Sequence, residues 1–361
     1  MKFFSPLICL CVSVLATEPE TTTNFEIETE EVLVGDEEIS SVAATVDSVD
    51  ILSAATIYSG TACTGKRLGQ YTWSTKLWKQ GSRELVDFFG SQDGRDWGCG
   101  DVTINIGDYT APRSIFYKDD IIPFIQAYRA TSGNYESVVW LSYGDTVSKD
   151  GSRMETFTQT FFDWIETIPQ DVSITLGTIG LSFDVEKMPA ASTESGLIKA
   201  QALKAQSSFP AGKLLIQHTI EGKRNPDGTD FVMKYADSAL VMIYRNYMTS
   251  PTMSESSNIL SRARFFLKEQ CVYCLDDAYA AANYKAKITM MVEASCGPMD
   301  YCAKLSFCAH DAPGEGALYM WDTLMELESG MVSSGLVTPS QFQRLMNPVT
   351  TYAVHDWKCM S

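Results

Sequence analysis

Histidine is nearly missing from this chain. There are three among 361 residues, His218, His310 and His355. So sparse and scattered a set does not build the closely spaced ligand pattern of a histidine metal centre, and neither a metal nor any other cofactor is expected. No Asn-x-Ser/Thr sequence occurs, so N-glycosylation is not expected. No Gly-rich dinucleotide fingerprint follows the first predicted strand, which removes the main support for a nucleotide-binding open sheet. Positive charge is also short. Twenty-eight Lys and Arg face 45 Asp and Glu, for a net charge of −17 and a pI near 4.6. That balance argues against nucleic acid or an anionic membrane surface as partner and leaves neutral partners, sugars included.

Long apolar runs are confined to the N-terminus. MKFFSPLICLCVSVLA carries Lys2, an apolar stretch from Leu7 to Leu15 and the small Ala16. This is the pattern of a secretory signal over 1–16, too short to span a bilayer, and it predicts a secreted protein with no membrane attachment after cleavage. Residues 17–55 are acidic and rich in Thr and Ser without a sustained period, as in a flexible lead or pro-segment. Residues 56–361 form the folded unit. Ten cysteines are present, and eight (Cys63, Cys99, Cys271, Cys274, Cys296, Cys302, Cys308, Cys359) remain after the signal. An even count in a secreted chain predicts disulfides, with Cys302 and Cys308 close together. The Cys271-x-x-Cys274 pair is also compatible with a zinc half-site or a redox motif, although no second such pair exists.

What is present is an alternation of strand-like and helix-like runs. Strands are predicted at 69–74, 101–109, 137–145, the stretch opening at 179, 213–219, 238–246 and 286–295. For the eighth, TTYAVHDW (350–357) is β-branched and follows an Asn347-Pro348 break. GALYMWD (316–322) instead opens a helical stripe of Ala317, Trp321, Leu324 and Met331. The first is taken as strand and the second as helix, giving eight strands and seven helices. The prediction is a single-domain α/β fold, a (β/α)8 TIM barrel closed from eight parallel strands.

The stretch IGLSFDVEKMP (179–189) places Ser182, Asp184 and Glu186 on one face and Leu181, Phe183 and Val185 on the other. In a barrel the polar face points to the axis, and active sites collect at the C-terminal strand ends. Those ends carry Trp73, Asp108, Ser142, Tyr143, Asp145, Asp184, Glu186, His218, Glu221, Tyr244, Arg245, Asn246, Glu293, His355, Asp356 and Trp357. Carboxylates interleaved with aromatics suit a sugar, whose C–H faces stack on rings while two carboxyl groups perform acid/base work.

Gly180-Leu181-Ser182-Phe183-Asp184-Val185-Glu186 resembles the fourth-strand motif of family-18 chitinases, Asp-Gly-x-Asp-x-Asp-x-Glu. Met242-Ile243-Tyr244-Arg245 is similar to that family's Met-x-Tyr-Asp, and Leu141-Ser142-Tyr143-Gly144-Asp145 to its Ser-x-Gly-Gly. Ile179, Ser182, Asp145 and Arg245 stand where the family has other residues. The resemblance implies Glu186 as general acid, Asp184 as holder of a substrate acetamido group and Tyr244 as its orienting hydroxyl. Asp-Val-Glu, Met-x-Tyr-Arg, Val-Glu and Val-His-Asp together also resemble unnamed glycosidase-like barrels of bacteria and fungi. Glu186 and Glu293 further resemble the acid/base and nucleophile of the large retaining-glycosidase clan. The expectation is a secreted barrel that binds and cleaves a carbohydrate. Its catalytic residues would be Glu186, Asp184 and Glu293, and its substrate contacts Tyr244, Arg245, Trp73, Ser142, Asp145, His355, Asp356 and Trp357. The rivals are a non-catalytic lectin-like barrel and a barrel phosphodiesterase, which would need paired histidines such as His218 and His355.

Overall fold

The computed structural model describes residues 68–355, apart from 80–81, 83, 91–99, 133–135, 148–150, 187, 222–224, 247, 249–257, 295–305, 308–314 and 349. The signal and acidic lead, six of the eight mature cysteines, Asp356 and Trp357 lie outside the described residues.

Eight strands pair in sequence order and close on themselves. They are β1 (Leu68–Thr72), β2 (Val102–Asp108), β3 (Val139–Asp145), β4 (Ile179–Val185), β5 (Leu214–Ile220), β6 (Ser238–Met242), β7 (Lys287–Glu293) and β8 (Tyr352–His355). Every pairing is parallel, including β8 with β1. This is the predicted (β/α)8 barrel. The segment Glu315–Ser333 is helix, so the eighth strand comes from the later run.

Closure follows from the residues on the outward faces. Val102, Ile104 and Ile106 on β2, Val139, Leu141 and Tyr143 on β3, and Ile179, Leu181, Phe183 and Val185 on β4 are all buried in one large cluster with the helices. Branched and aromatic side chains at every second position favour the pleated conformation and give each strand a face to bury. The covering helices answer with their own stripes. Ser152–Ile165 turns Met154, Phe157, Phe161, Phe162, Trp164 and Ile165 inward. Trp164 is part of this core. Gly107 leaves room for the Phe157 ring, since a Cβ there would lie 2.3 Å from it. It also follows the register shift between Asn105 and Gly107 where β2 meets β3.

After β5 comes a helix that apolar spacing had not located, Pro226–Tyr235. Asn225 caps it by accepting from the Gly228 amide at 2.8 Å, with Pro226 in the first turn. Cys271 and Cys274 are joined as a disulfide and fully buried at the turn following the helical stretch that begins at Ile259. That bond fits the expected oxidised state, in place of a zinc half-site at these two residues.

Candidate active site

Side-chain parity along each strand decides what enters the lumen. Trp140 closes its floor, donating its indole N–H to Asp101 Oδ2 at 2.9 Å. It packs against Gly180, where a Cβ would lie 2.3 Å from the ring. Above this floor, Ser182 Oγ donates to Gln217 Oε1 at 2.8 Å, and Gln217 Nε2 donates to Ser238 Oγ at 3.1 Å. The third level holds Asp184, buried at 3% exposure. Ser182 and Asp184 therefore face the axis, as the alternation of β4 predicted.

Asp184 is the centre of the polar network. Tyr71 on β1 donates its hydroxyl to Asp184 Oδ2 at 3.3 Å and is 2.7 Å from Ser142 Oγ on β3. With the Tyr71 proton committed to the carboxyl, Ser142 donates to Tyr71, and a Ser142–Tyr71–Asp184 chain results. Asp184 Oδ1 is buried and makes no hydrogen bond. Burial and then the neighbouring Glu186 charge push the Asp184 carboxyl up to about 7, while His355 and the Tyr71 hydrogen bond act in the opposite direction. Burial disfavours the charged form, and a second carboxylate disfavours it further.

Glu186 follows the last residue of β4, and its amide still bonds to the Asp145 carbonyl at 3.0 Å. It is half-buried. Its charge acts on Asp184, Tyr71 and Tyr244 together, which places its carboxylate on the lumen side of the mouth. Across the barrel, Glu293 on β7 accepts from His355 Nδ1 on β8, both carboxylate oxygens lying at 2.9 Å. The His355 ring stands between Tyr71, at a 5.3 Å centroid distance, and Tyr244 at 5.8 Å. Burial, then Glu293 and Asp184, hold the Tyr244 hydroxyl well above its usual range, so it stays a donor. Trp73 completes the ring wall 5.7 Å from Tyr71. It lies across Gly144, where a Cβ would approach the indole to 2.1 Å. A glycine at the third-strand mouth is thus required by the tryptophan of the first.

The predicted site residues divide by parity. Asp184, Glu186, Glu293, Tyr244, His355, Ser142 and Trp73 gather at one mouth. Asp145 does not join them. It follows the inward Gly144, accepts from Tyr143 hydroxyl at 3.4 Å and the Val147 amide at 2.9 Å, and lies on the helix side. Arg245 is the residue after Tyr244 and donates to the Tyr244 carbonyl. It forms no ion pair with Glu186 among the described residues. His218 pairs in register with Phe183 on the outer face, where the two rings are 6.1 Å apart. With His355 in the lumen, the two histidines of a phosphodiesterase reading stand on opposite faces of the sheet. Tyr71 was not singled out from the sequence. Its one signal is that it precedes Trp73 by two residues and so shares its face. Among the described residues, no group of three or more His, Cys, Asp or Glu could hold a metal ion.

No protein-family model matches the chain. No curated protein matches it either. Among solved structures it is similar to the spore cortex-lytic enzyme SleL of Bacillus cereus, with 11% identity and a TM-score of 0.40 over 63% of this chain. That match spans half of the SleL chain. A family-18 chitinase from Pseudoalteromonas aurantia is similar at 9% identity and a TM-score of 0.40, covering 80% of this chain and 93% of that one. A β-glucuronidase from Ruminococcus gnavus matches at 9% identity and a TM-score of 0.34, covering 81% and 42%. Likeness at this level assigns nothing to this chain. The assignment of chemistry has to come from the mouth itself.

Proposed function

We propose that the protein is a secreted glycoside hydrolase that holds a sugar at the C-terminal mouth of the barrel and cleaves its glycosidic bond. The observation that carries this reading is the carboxyl pair at the C-terminal end of β4. Asp184 is buried, bonded to Tyr71 and raised to about 7, directly beside Glu186 on the same face. A carboxyl that exchanges its proton near neutrality suits acid/base chemistry at a leaving-group oxygen. In this reading Glu186, the more exposed of the two, donates the proton to the departing oxygen. Asp184 takes up or releases a proton beside it as charge develops, and its unpartnered Oδ1 is available to a substrate N–H or O–H. Tyr244 donates from the facing wall, and Trp73 offers a ring to a pyranose face. Glu293, fixed by His355, supplies a second carboxylate across the lumen.

The test is hydrolysis of a broad glycan panel by wild type and by Glu186→Gln, with binding measured in parallel. The amide keeps the shape of the side chain but has no acid proton to give. Turnover should fall by about a hundredfold or more, with binding and folding nearly unchanged. Glycan binding without cleavage by wild type replaces this reading with the lectin-like one. Unchanged turnover in Glu186→Gln removes Glu186 from the role of acid.

A further inference from the structure

The disulfide between Cys271 and Cys274 encloses only Val272 and Tyr273. Both cysteines are fully buried, whereas Val272 is 53% and Tyr273 42% exposed. The bond ties the turn inward at its two ends and presents the residues between them to water. A loop this short restricts the unfolded chain less than a long one does, so the bond shapes the turn more than it stabilises the barrel. What it presents is the outer layer of an aromatic stack. The Tyr273 ring centroid lies 4.1 Å from that of Tyr279, with 30° between the planes, and Tyr284 meets Tyr279 edge-on at 5.6 Å. Asp276 caps the helix Asp277–Asn283 and fixes Tyr279 by accepting from its amide at 2.9 Å. Asp230, on the helix Pro226–Tyr235, holds the base of the stack. One of its oxygens accepts from the Tyr284 hydroxyl at 2.9 Å and lies 3.5 Å from that of Tyr279. The other pairs with Lys234 at 2.6 Å, and Lys234 Nζ is 5.4 Å from the Tyr279 ring centroid. Tyr284 stands just before β7 begins, at the opposite end of that strand from the mouth.

We propose that this stack is a second carbohydrate site, a platform on which Tyr273 receives a neutral pyranose ring away from the mouth. The C–H face of a sugar packs on a fixed, exposed aromatic ring, and its hydroxyls need polar groups at the ring edge. Both are present. Asp276 and Asp277 are exposed in the turn that leads into Tyr279, and Asn283 is exposed one helical turn beyond it. A protein partner fits this surface poorly. Val272 and Tyr273 offer far less than the about 800 Å² per partner of a stable interface, and charged residues, which interface cores avoid, stand beside them. A second copy of this chain, or a polyanion, would also have to approach a protein of net charge −17. A neutral sugar meets no such repulsion. The choice of a sugar rests on the glycosidase reading of the mouth, whereas the position of the site does not. The platform would hold a long or insoluble glycan against the barrel while the mouth works on one bond.

The experiment uses the full chain and two kinds of neutral probe, short oligosaccharides of hexose or N-acetylhexosamine and insoluble polymers of the same units. Wild type should partition onto a polymer, and Tyr273→Ala should weaken that partition about tenfold or more. Tyr273→Phe keeps the ring and should bind nearly as wild type does. Trp73→Ala, altered at the mouth, should retain most of the polymer binding. Tyrosine-ring NMR of wild type and of Trp73→Ala gives a second readout that needs no Tyr273 variant to fold. The Tyr273 and Tyr279 ring signals should shift in both proteins when oligosaccharide is added. Equal polymer binding by Tyr273→Ala and wild type, or ring signals that stay still with every probe, overturns the platform and leaves the mouth reading untouched. Polymer binding that is lost in Tyr273→Ala, with no hydrolysis by wild type, supports the platform and removes the glycosidase reading. Self-association that is lost in Tyr273→Ala, with no glycan bound, assigns the surface to a second copy of the chain and overturns the sugar.

Discussion

The two faces of the same eight strands are built on opposite principles. Outward, β4 presents Ile179, Leu181, Phe183 and Val185 to the helices, and its neighbours continue the same apolar surface. Inward, the same strand presents Gly180, Ser182 and Asp184. The lumen has a small apolar cluster of its own, Tyr71, Leu240, Met242, Met291 and Ala353, drawn mostly from β6 to β8. Its other side, from β2 to β5, is lined by Asn105, Ser142, Ser182, Asp184 and Gln217. The shell holds the fold by area removed from water, which leaves the lumen free to carry polar groups that add little to stability. Each of those groups must then be hydrogen-bonded. The Ser182–Gln217–Ser238 and Ser142–Tyr71–Asp184 chains do this for their members, while Asp184 Oδ1 is a buried lumen oxygen that makes no hydrogen bond.

The sharpest way to break the contrast is to cut the shell. Phe157 is fully buried, stacks on Tyr143 at 4.4 Å and fills the space left by Gly107. Phe157→Ala should lower the unfolding free energy by about 3–5 kcal/mol, as large-to-small core changes do. Urea denaturation measures it through the midpoint at constant slope. Ser182→Ala, in the lumen, leaves Gln217 Oε1 without its donor and should cost about 1–3 kcal/mol. A lumen substitution as damaging as the shell one would mean that the lumen network, not the shell, holds the barrel.

Asp184→Asn should have the opposite sign at high pH. An unfolded aspartate titrates near ~3.9, and Asp184 in the fold near about 7. Between those values the folded chain binds the extra proton. The contribution of this group is therefore full below ~4 and lost as pH rises through 7. Asparagine has no such slope and still accepts from Tyr71. Its stability relative to wild type should rise between pH 4 and 7, reaching roughly 2–4 kcal/mol in favour of the variant at pH 8. A stability difference that stays flat over this range would show that Asp184 ionises freely in place.

Much of this was legible in sequence because the shell writes its pattern at period two. Leu181, Phe183 and Val185 alternate with Ser182 and Asp184, and that alternation gave both the strand and the face pointing to the axis. The eighth strand was legible from the Asn347-Pro348 break. What failed was parity at the strand ends. Asp145 and Arg245 were grouped with the mouth by their position along the chain, yet each is one residue past an inward one, Gly144 and Tyr244. His218 was misplaced in the same way, between the inward Gln217 and Thr219. The helix Pro226–Tyr235 has its apolar residues crowded into its second half, at Phe231, Val232, Met233 and Tyr235, and its real signal was the Asn225-Pro226 start. Tyr71 was invisible for a different reason. A tyrosine in a strand looks like core until the partner of its hydroxyl is known.

The smallest effect separates the parts of the lumen from one another. Four groups act on the Asp184 carboxyl: Glu186 and Glu221 raise its pKa, while His355 and the Tyr71 hydroxyl lower it. Tyr71→Phe removes a hydrogen bond to the charged form and should move the titration of Asp184 above about 7. His355→Asn removes the ring that lowers it and should move it the same way. Glu186→Gln removes a repelling negative charge and should move it down. Each shift should be about a unit or less, equal to about 1.4 kcal/mol or less between protonation states. Carbon-detected NMR of the aspartate carboxyls across pH 4 to 9 reads these shifts without any turnover, so they stand whatever sugar is bound. As a control from the other face of the sheet, His218→Gln should leave the Asp184 titration in place, because its ring belongs to the shell beside Phe183. If Glu186→Gln and Tyr71→Phe moved Asp184 in the same direction, the electrostatic order assigned to this mouth would be wrong.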